Sequence, residues 1–224
     1  MTEAALLPSV TIDAEGPHRA TVIWLHGLGD SGNGFAPIVP ALQIPASLGV
    51  KFIFPHAPMR AVTINNGMQM RAWYDLKSMD FGSRADLAGV LESVEQVTQL
   101  IEAEMAAGIP ANKILLAGFS QGGVITYHLG CRFPHTLAGM LCLSTYMAEP
   151  QLLAEQKSDA GLKTPIFAAH GTHDDVVPMK MGEAAFHSAQ QNGFDATWHT
   201  YPMQHNVHSQ EIHDLSQWLQ ARLA

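Results

Sequence analysis

Two rhythms of apolar residues alternate along the chain. Short runs rich in β-branched and aromatic side chains, over residues 10–12, 21–26, 50–54, 113–119, 138–144, 165–170 and 197–201, predict strands. Between them, apolar positions recur every three or four residues over 85–107, 121–132, 179–192 and 209–223, which predicts helices. The longest helix is amphipathic, with Leu87, Val90, Leu91, Val94, Val97 and Ile101 spaced to share one face. Strands that alternate with helices build a parallel sheet covered on both faces, so the predicted class is α/β with a mostly parallel central sheet. One segment, 61–75, breaks the alternation. There Asn66-Gly67 stands between runs of mixed apolar and polar residues and predicts a tight β-hairpin, a small insertion before the long helix. Its Met68, Met70 and Trp73, with Met79 and Phe81 beyond it, either pack on the core or line an apolar groove. Met70, Trp73 and Phe81 are the candidates for substrate contact.

Composition narrows the class. The 224 residues (24.2 kDa) suffice for one well-buried α/β domain, and no linker-like stretch divides them, so a single domain over 1–224 is expected. A net charge of -8 and a pI of about 5.8 leave no basic footprint for nucleic acid and little attraction to an anionic membrane. Charged residues make up 14% and hydrophobic ones 47%; this suits a large core with an apolar site, and equally a subunit interface, so a homodimer is one expected assembly. The opening MTEAALLPSV carries no basic n-region, sustained apolar core or small-residue cleavage site, and no segment approaches the ~20 apolar residues of a membrane span. A cytoplasmic protein without integral membrane contact is therefore expected. Cys131 and Cys142, without CxxC spacing, read as buried hydrophobes.

The chemistry is concentrated in KILLAGFSQGG, residues 113–123. An apolar run suited to a buried strand ends in Gly-Phe-Ser-Gln-Gly and passes straight into a helical pattern. That context predicts a nucleophile elbow, a turn so tight that small residues flank it, with Ser120 held in strained geometry above the sheet. Gly118 and Gly122 leave room for the turn, and Gly123 lets the helix approach the strand. The first N–H groups of the following helix, Gln121 foremost, lack internal partners and point to where an oxyanion would form.

A serine hydroxyl is a weak nucleophile at neutral pH and needs a histidine base, itself oriented by a carboxylate. In this architecture the three follow in the order Ser, Asp, His, on loops at the C-terminal ends of strands. The strand at 165–170 is followed by GTHDDVVP, where Asp174 and Asp175 compete and Val176 is a further candidate for substrate contact. The strand at 197–201 is followed by PMQHNVHSQEIHD, where position just past the strand favours His205 over His208 and His213. A second oxyanion donor is expected from LHGLGDSG after the strand TVIWLH, whose glycines permit a backbone excursion that aims the Leu28 N–H at the substrate carbonyl. A phosphate loop is the alternative, but no Gly-Lys-Ser/Thr follows and the glycine spacing does not fit a dinucleotide fingerprint. His170, His173, Asp174 and His205 offer metal-ligand types, yet no HExxH or closed ligand set is specified.

Taken together, LHGLGD, FPHAP, the Asn-Asn-Gly hairpin leading into WYD, GFSQGG, HDDVVP and the histidine after YPM resemble the phospholipase/carboxylesterase family of α/β-hydrolases. Within it the likeness is to small bacterial carboxylesterases related to acyl-protein thioesterases. The motifs run collinearly from His26 to His205. By that resemblance Ser120 is the nucleophile, Asp174 the orienting carboxylate and His205 the base, with Leu28 and Gln121 supplying the oxyanion N–H groups. The family aspartate stands three residues before the valine of the final Val-Pro pair, which selects Asp174 over Asp175. The resemblance implies an α/β-hydrolase fold and a serine esterase that uses neither cofactor nor metal and acts on short- to medium-chain carboxylic esters, the alternatives being an acyl-protein thioesterase or lysophospholipase acting on longer acyl chains and, from another class, a non-catalytic binding module on a hydrolase scaffold. Some relatives cleave thioesters, including lipidated protein cysteines. The chain departs from the family pattern at Gln204, where many relatives carry glycine before the histidine.

Overall fold

Apolar residues that read as continuous runs are divided between two faces of one sheet. The computed structural model describes residues 5–224; residues 1–4, on which the reading of the N-terminal segment partly rests, lie outside the described residues. The strands are β1 (Ser9–Ile12), β2 (Ala20–Leu25), β3 (Val50–Pro55), β4 (Met59–Val62), β5 (Met68–Arg71), β6 (Ile114–Phe119), β7 (Gly139–Leu143), β8 (Ile166–Gly171) and β9 (Ala196–Tyr201). Seven of them form a sheet in the order β1-β3-β2-β6-β7-β8-β9, parallel except for the β1-β3 pair. Along β2, Val22 and Trp24 join one core while Ile23 and Leu25 join another, the period-two division a pleated strand imposes.

Helices cover both faces. The first side carries α1 (Gly32–Phe35), α2 (Val39–Leu42) and α7 (Ser209–Leu223), whose Leu42, Leu215 and Leu219 are fully buried against it. The second carries α3 (Leu87–Ala106), α4 (Gln121–Gly130) and α6 (Met179–Gln191), with the short α5 (Leu153–Gln156) near them. On α3 the buried stripe is Val90, Val97, Leu100 and Ile101; Leu87 and Leu91, expected on that face, are exposed. Consecutive residues differ by about 100° around a helix, which carries Leu91 past the edge of the stripe and brings Leu100 under it. Full burial of Val97 and Ile101 contributes roughly 1.5–3 kcal/mol each.

The predicted hairpin is the β4-β5 pair, but its turn is longer than the tight one expected. Val62 pairs with Met68, leaving Thr63–Asn65 as a 3₁₀ turn before Asn66 and Gly67, both in left-handed conformation. The Asp75 carboxylate accepts from the Thr63 N–H (2.7 Å) and hydroxyl (2.6 Å), which stabilises that wider turn. The chain changes direction across the sheet between β2 and β6. The loops after these two strands therefore face each other at the carboxyl edge, where open α/β sheets bind ligands.

Candidate active site

Ser120 sits where β6 turns into α4. Its backbone, at φ 53° and ψ -119°, lies in a region that costs a non-glycine residue on the order of 1–3 kcal/mol. Two contacts hold it there: its N–H donates to Leu143 O (2.9 Å), and its carbonyl accepts from the Thr145 hydroxyl (2.6 Å). A Cβ on Gly118 would meet the Gly122 carbonyl, and one on Gly122 would meet the Leu25 carbonyl, each well inside van der Waals contact. Both glycines are thus dictated by close backbone approach at the elbow.

The sequence-nominated histidine and carboxylate meet this serine. His205 Nε2 lies 2.9 Å from Ser120 Oγ, and His205 Nδ1 lies 2.7 Å from Asp174 Oδ2. The other oxygen, Asp174 Oδ1, accepts from the N–H groups of Val176 (3.0 Å) and Val177 (2.8 Å). Burial alone would push the Asp174 carboxyl up; hydrogen bonds from His170, His205 and Val177 outweigh it and hold the group well below the usual carboxylate range. Asp175 points to solvent. His208 caps α7 by accepting the Gln210 N–H, and His213 lies on its exposed face. Gln204 keeps its backbone out of the left-handed region, so the loop presents His205 without needing glycine there.

His170 is a participant that residue-type reasoning considered only as a metal ligand. It is fully buried at the end of β8, and its Nε2 lies 2.8 Å from Val177 O and 3.4 Å from Asp174 Oδ2. A carbonyl only accepts, so Nε2 carries the proton and serves both oxygens. His173 is exposed and bonds to Thr172.

The loop after β2 is tied down from the hairpin side. Gly29 donates to Arg71 O (2.8 Å), and Trp73 Nε1 donates to His26 O (2.8 Å). The ring of His26 accepts the Ala57 N–H at Nε2 (3.0 Å), so its Nδ1 carries the proton given to Gly27 O (2.6 Å). Burial lowers the His26 pKa and keeps the ring neutral. Among the described residues, the N–H groups of Leu28 and Gln121 donate to no protein acceptor, and both residues border the same cleft as Ser120. The Gln121 side chain bridges to the segment after the hairpin, accepting the Trp73 N–H and donating to Tyr74 O, both at 2.7 Å.

The cleft beside Ser120 is small, with a volume of about 50 Å³. Of the four side chains nominated for substrate contact, Val176 lines it. Trp73 does not: it is fully buried, with its indole N–H used on His26. Met70 packs on the core and accepts from Asn65. Phe81 stands one layer back, edge-on to Tyr146 (5.2 Å) and beneath Arg84 (4.6 Å). The walls come instead from Tyr74, Leu76, Arg84, Tyr146 and Val177. Tyr146 follows the end of β7, and that position past a strand terminus was the available signal for it. A second hollow, on the other side of His205, is bordered by Phe119, Asn206 and Val207.

A family model for Phospholipase/Carboxylesterase matches residues 8–223. The chain belongs to the phospholipase/carboxylesterase family. It is 38% identical to acyl-protein thioesterase 1 of Yarrowia lipolytica over 221 residues, covering 96% of this chain and 97% of that one. It is 34% identical to carboxylesterase SOBER1 of Arabidopsis thaliana over 208 residues, covering 92% and 91%. The crystal structure of SOBER1 superimposes with a TM-score of 0.86 at 33% identity, covering 92% of this chain and 100% of that one. Zea mays acyl-protein thioesterase 2 superimposes with a TM-score of 0.87 at 27% identity, covering 97% and 99%. The fold is therefore that of the α/β-hydrolases, and the chain is an ester or thioester hydrolase of this family. Among the described residues no helix is long and apolar enough to cross a membrane.

Proposed function

We propose that the chain is a serine carboxylesterase that hydrolyses short- to medium-chain esters through an acyl-enzyme intermediate, with residues 1–224 as one hydrolase domain. The observation that carries the proposal is the unbroken hydrogen-bonded series from Asp174 through His205 to Ser120, beside two N–H groups that have no protein acceptor among the described residues. His205 Nε2 takes the Ser120 proton as Oγ attacks the carbonyl carbon. The Leu28 and Gln121 N–H groups receive the charge that develops on the carbonyl oxygen. Collapse breaks the bond to the alcohol, which leaves with the proton from Nε2; water then repeats both steps on the acyl-enzyme and releases the acid. Asp174 stays ionised throughout and stabilises the imidazolium.

Geometry also separates the two halves of the substrate. The leaving group must lie near His205, its proton donor, and the hollow bordered by His205, Asn206 and Val207 is on that side. The acyl half then occupies the cleft that contains Ser120, Leu28 and Gln121. Its volume, about 50 Å³, is well below that of sites for drug-sized ligands, and its walls include Tyr74 and Tyr146, whose hydroxyls are hydrogen-bonded to each other, features that favour short chains over long alkyl ones. The second reading is an acyl-protein thioesterase, which the 38% identity to the Yarrowia enzyme favours.

The test is kcat/KM for p-nitrophenyl esters from acetyl to palmitoyl, with matched thioesters and Ser120→Ala as the comparison. A maximum at short esters supports the carboxylesterase. A rise towards long chains or thioesters replaces it with the thioesterase, and turnover retained by Ser120→Ala rejects Ser120 as nucleophile. Failure of the wild type to turn over any ester or thioester would leave a non-catalytic binding scaffold.

A further inference from the structure

Arg84 stands in the wall of the same cleft as Ser120 with no acid to answer it. It is 8% exposed, its Nε is buried without a hydrogen-bond partner, and among the described residues no carboxylate lies within ion-pair distance of it. A shortage of acids is not the reason, since the chain has 20 acidic residues against 12 basic ones. The acids nearest in sequence are engaged elsewhere. Asp86 pairs with Lys77 Nζ (2.6 Å) and caps α3 through the Gly89 N–H, and Asp80 accepts from the Gly82 N–H. Arg84 Cζ lies 4.6 Å over the Phe81 ring, a cation–π contact that attracts the guanidinium but does not neutralise it. A guanidinium cannot shed its proton, and with Nε buried and its terminal nitrogens making no hydrogen bond to the protein among the described residues, this one keeps donors free for an anion entering the cleft.

We propose that Arg84 binds a carboxylate carried on the acyl half of the substrate, so that the enzyme prefers half-esters of short dicarboxylic acids to plain alkanoate esters. The inference rests on the serine-esterase reading, which puts the acyl half in this cleft. The guanidinium offers the forked donors that suit a carboxylate. Next to it, the Tyr74 and Tyr146 hydroxyls lie 2.9 Å apart, so one donates to the other and the second keeps a proton to give the anion.

The test compares kcat/KM for monobenzyl esters of malonic to adipic acid with benzyl esters in which an isopropyl group replaces the carboxylate, following benzyl alcohol release. Wild type should favour at least one charged ester by tenfold or more, and Arg84→Met should lower that charged-to-neutral ratio at least tenfold. A merely structural role would reduce both rates together and leave the ratio where it was. Should Arg84→Met fail to fold, Arg84→Lys carries the test, with a ratio lowered at least threefold expected and an unchanged one refuting the proposal. Wild-type turnover of neutral esters without any gain for charged ones overturns the inference alone. No turnover of either series overturns the esterase reading as well.

Discussion

Replacing Asp174 by asparagine removes one negative charge, yet the larger effect expected is on the proton of His205. The amide introduced by Asp174→Asn has one acceptor and one donor end. Its orientation is dictated by Val176 and Val177, whose N–H groups lie 3.0 and 2.8 Å from Oδ1 and demand an acceptor there. The NH2 group must then occupy the place of Oδ2, 2.7 Å from His205 Nδ1. A donor facing Nδ1 drives the imidazole proton to Nε2, which faces Ser120 Oγ at 2.9 Å. The base then presents a proton where it has to accept one. By analogy with triad enzymes generally, the wrong tautomer should cost on the order of 10⁴ in kcat, equivalent to about 5.5 kcal/mol of transition-state stabilisation. Asp175→Asn, on an exposed neighbour, should stay within about threefold of wild type, since surface changes of this kind are worth about 0.5 kcal/mol or less. The assay is kcat on p-nitrophenyl butyrate for the three proteins, with circular dichroism to verify folding. Activity of Asp174→Asn within tenfold of wild type, or equal impairment of Asp175→Asn, would refute the tautomer reasoning.

Two further perturbations test the surroundings of the site. Gln121→Ala strips partners from the buried Trp73 N–H and Tyr74 carbonyl; at roughly 1–3 kcal/mol for each unsatisfied group, urea unfolding should show a loss of about 2–6 kcal/mol, and a loss below about 1 kcal/mol would contradict the bridge. Glu211 is fully buried at the start of α7, where burial, partly offset by the His208 N–H and reinforced by nearby Asp214, pushes its carboxyl up to about 7 from 4.5. The native state therefore binds more protons than the unfolded chain between those values, so this group's contribution lowers stability as pH rises from about 4.5 to 7, by about 3 kcal/mol in all. Glu211→Gln keeps an acceptor for the His208 N–H and should flatten that slope in urea titrations at pH 5 and pH 8; equal slopes in both proteins would reject it.

Legibility in the sequence followed how local each constraint is. The Ser120 elbow is local: its strained backbone demands small neighbours at Gly118 and Gly122, so five consecutive letters carry the geometry. His205 was legible from chain order and its place just past a strand, although twelve histidines competed. Asp174 and Asp175 were not separable by residue type, because what distinguishes them is a cup of two backbone N–H groups that exists only once the loop has folded. The cleft walls were the least legible. Trp73 and Met70 have the side-chain character of a pocket, but apolar character specifies burial without saying on which side of the backbone it occurs. Tyr74, Arg84 and Tyr146 come from separate stretches, and no periodicity links them. The wide hairpin turn was hidden for a related reason, since it depends on Asp75 reaching back to Thr63.

That hairpin has a mechanical role that the strand count conceals. The two N–H groups proposed for the oxyanion come from loops after different strands, Leu28 after β2 and Gln121 after β6; these strands pair in parallel with Leu25 opposite Gly118, which sets the two loops side by side. The segment around β5 spans both. Arg71 O holds the Gly29 N–H, the Trp73 indole holds His26 O, and the Gln121 side chain is clamped between the Trp73 N–H and the Tyr74 carbonyl. Three of these four bonds lie wholly within buried surroundings, where each is costly to break and water does not compete. Donors held in this way need little reorganisation when charge develops, which is the condition under which an oxyanion site acts most strongly. The same segment leads directly into Arg84 and the wall of the acyl cleft. On the proposed reading, the hairpin insertion thus ties oxyanion geometry and acyl selection to one stretch of chain, clamping from one side the two loops that the paired β2 and β6 set next to each other.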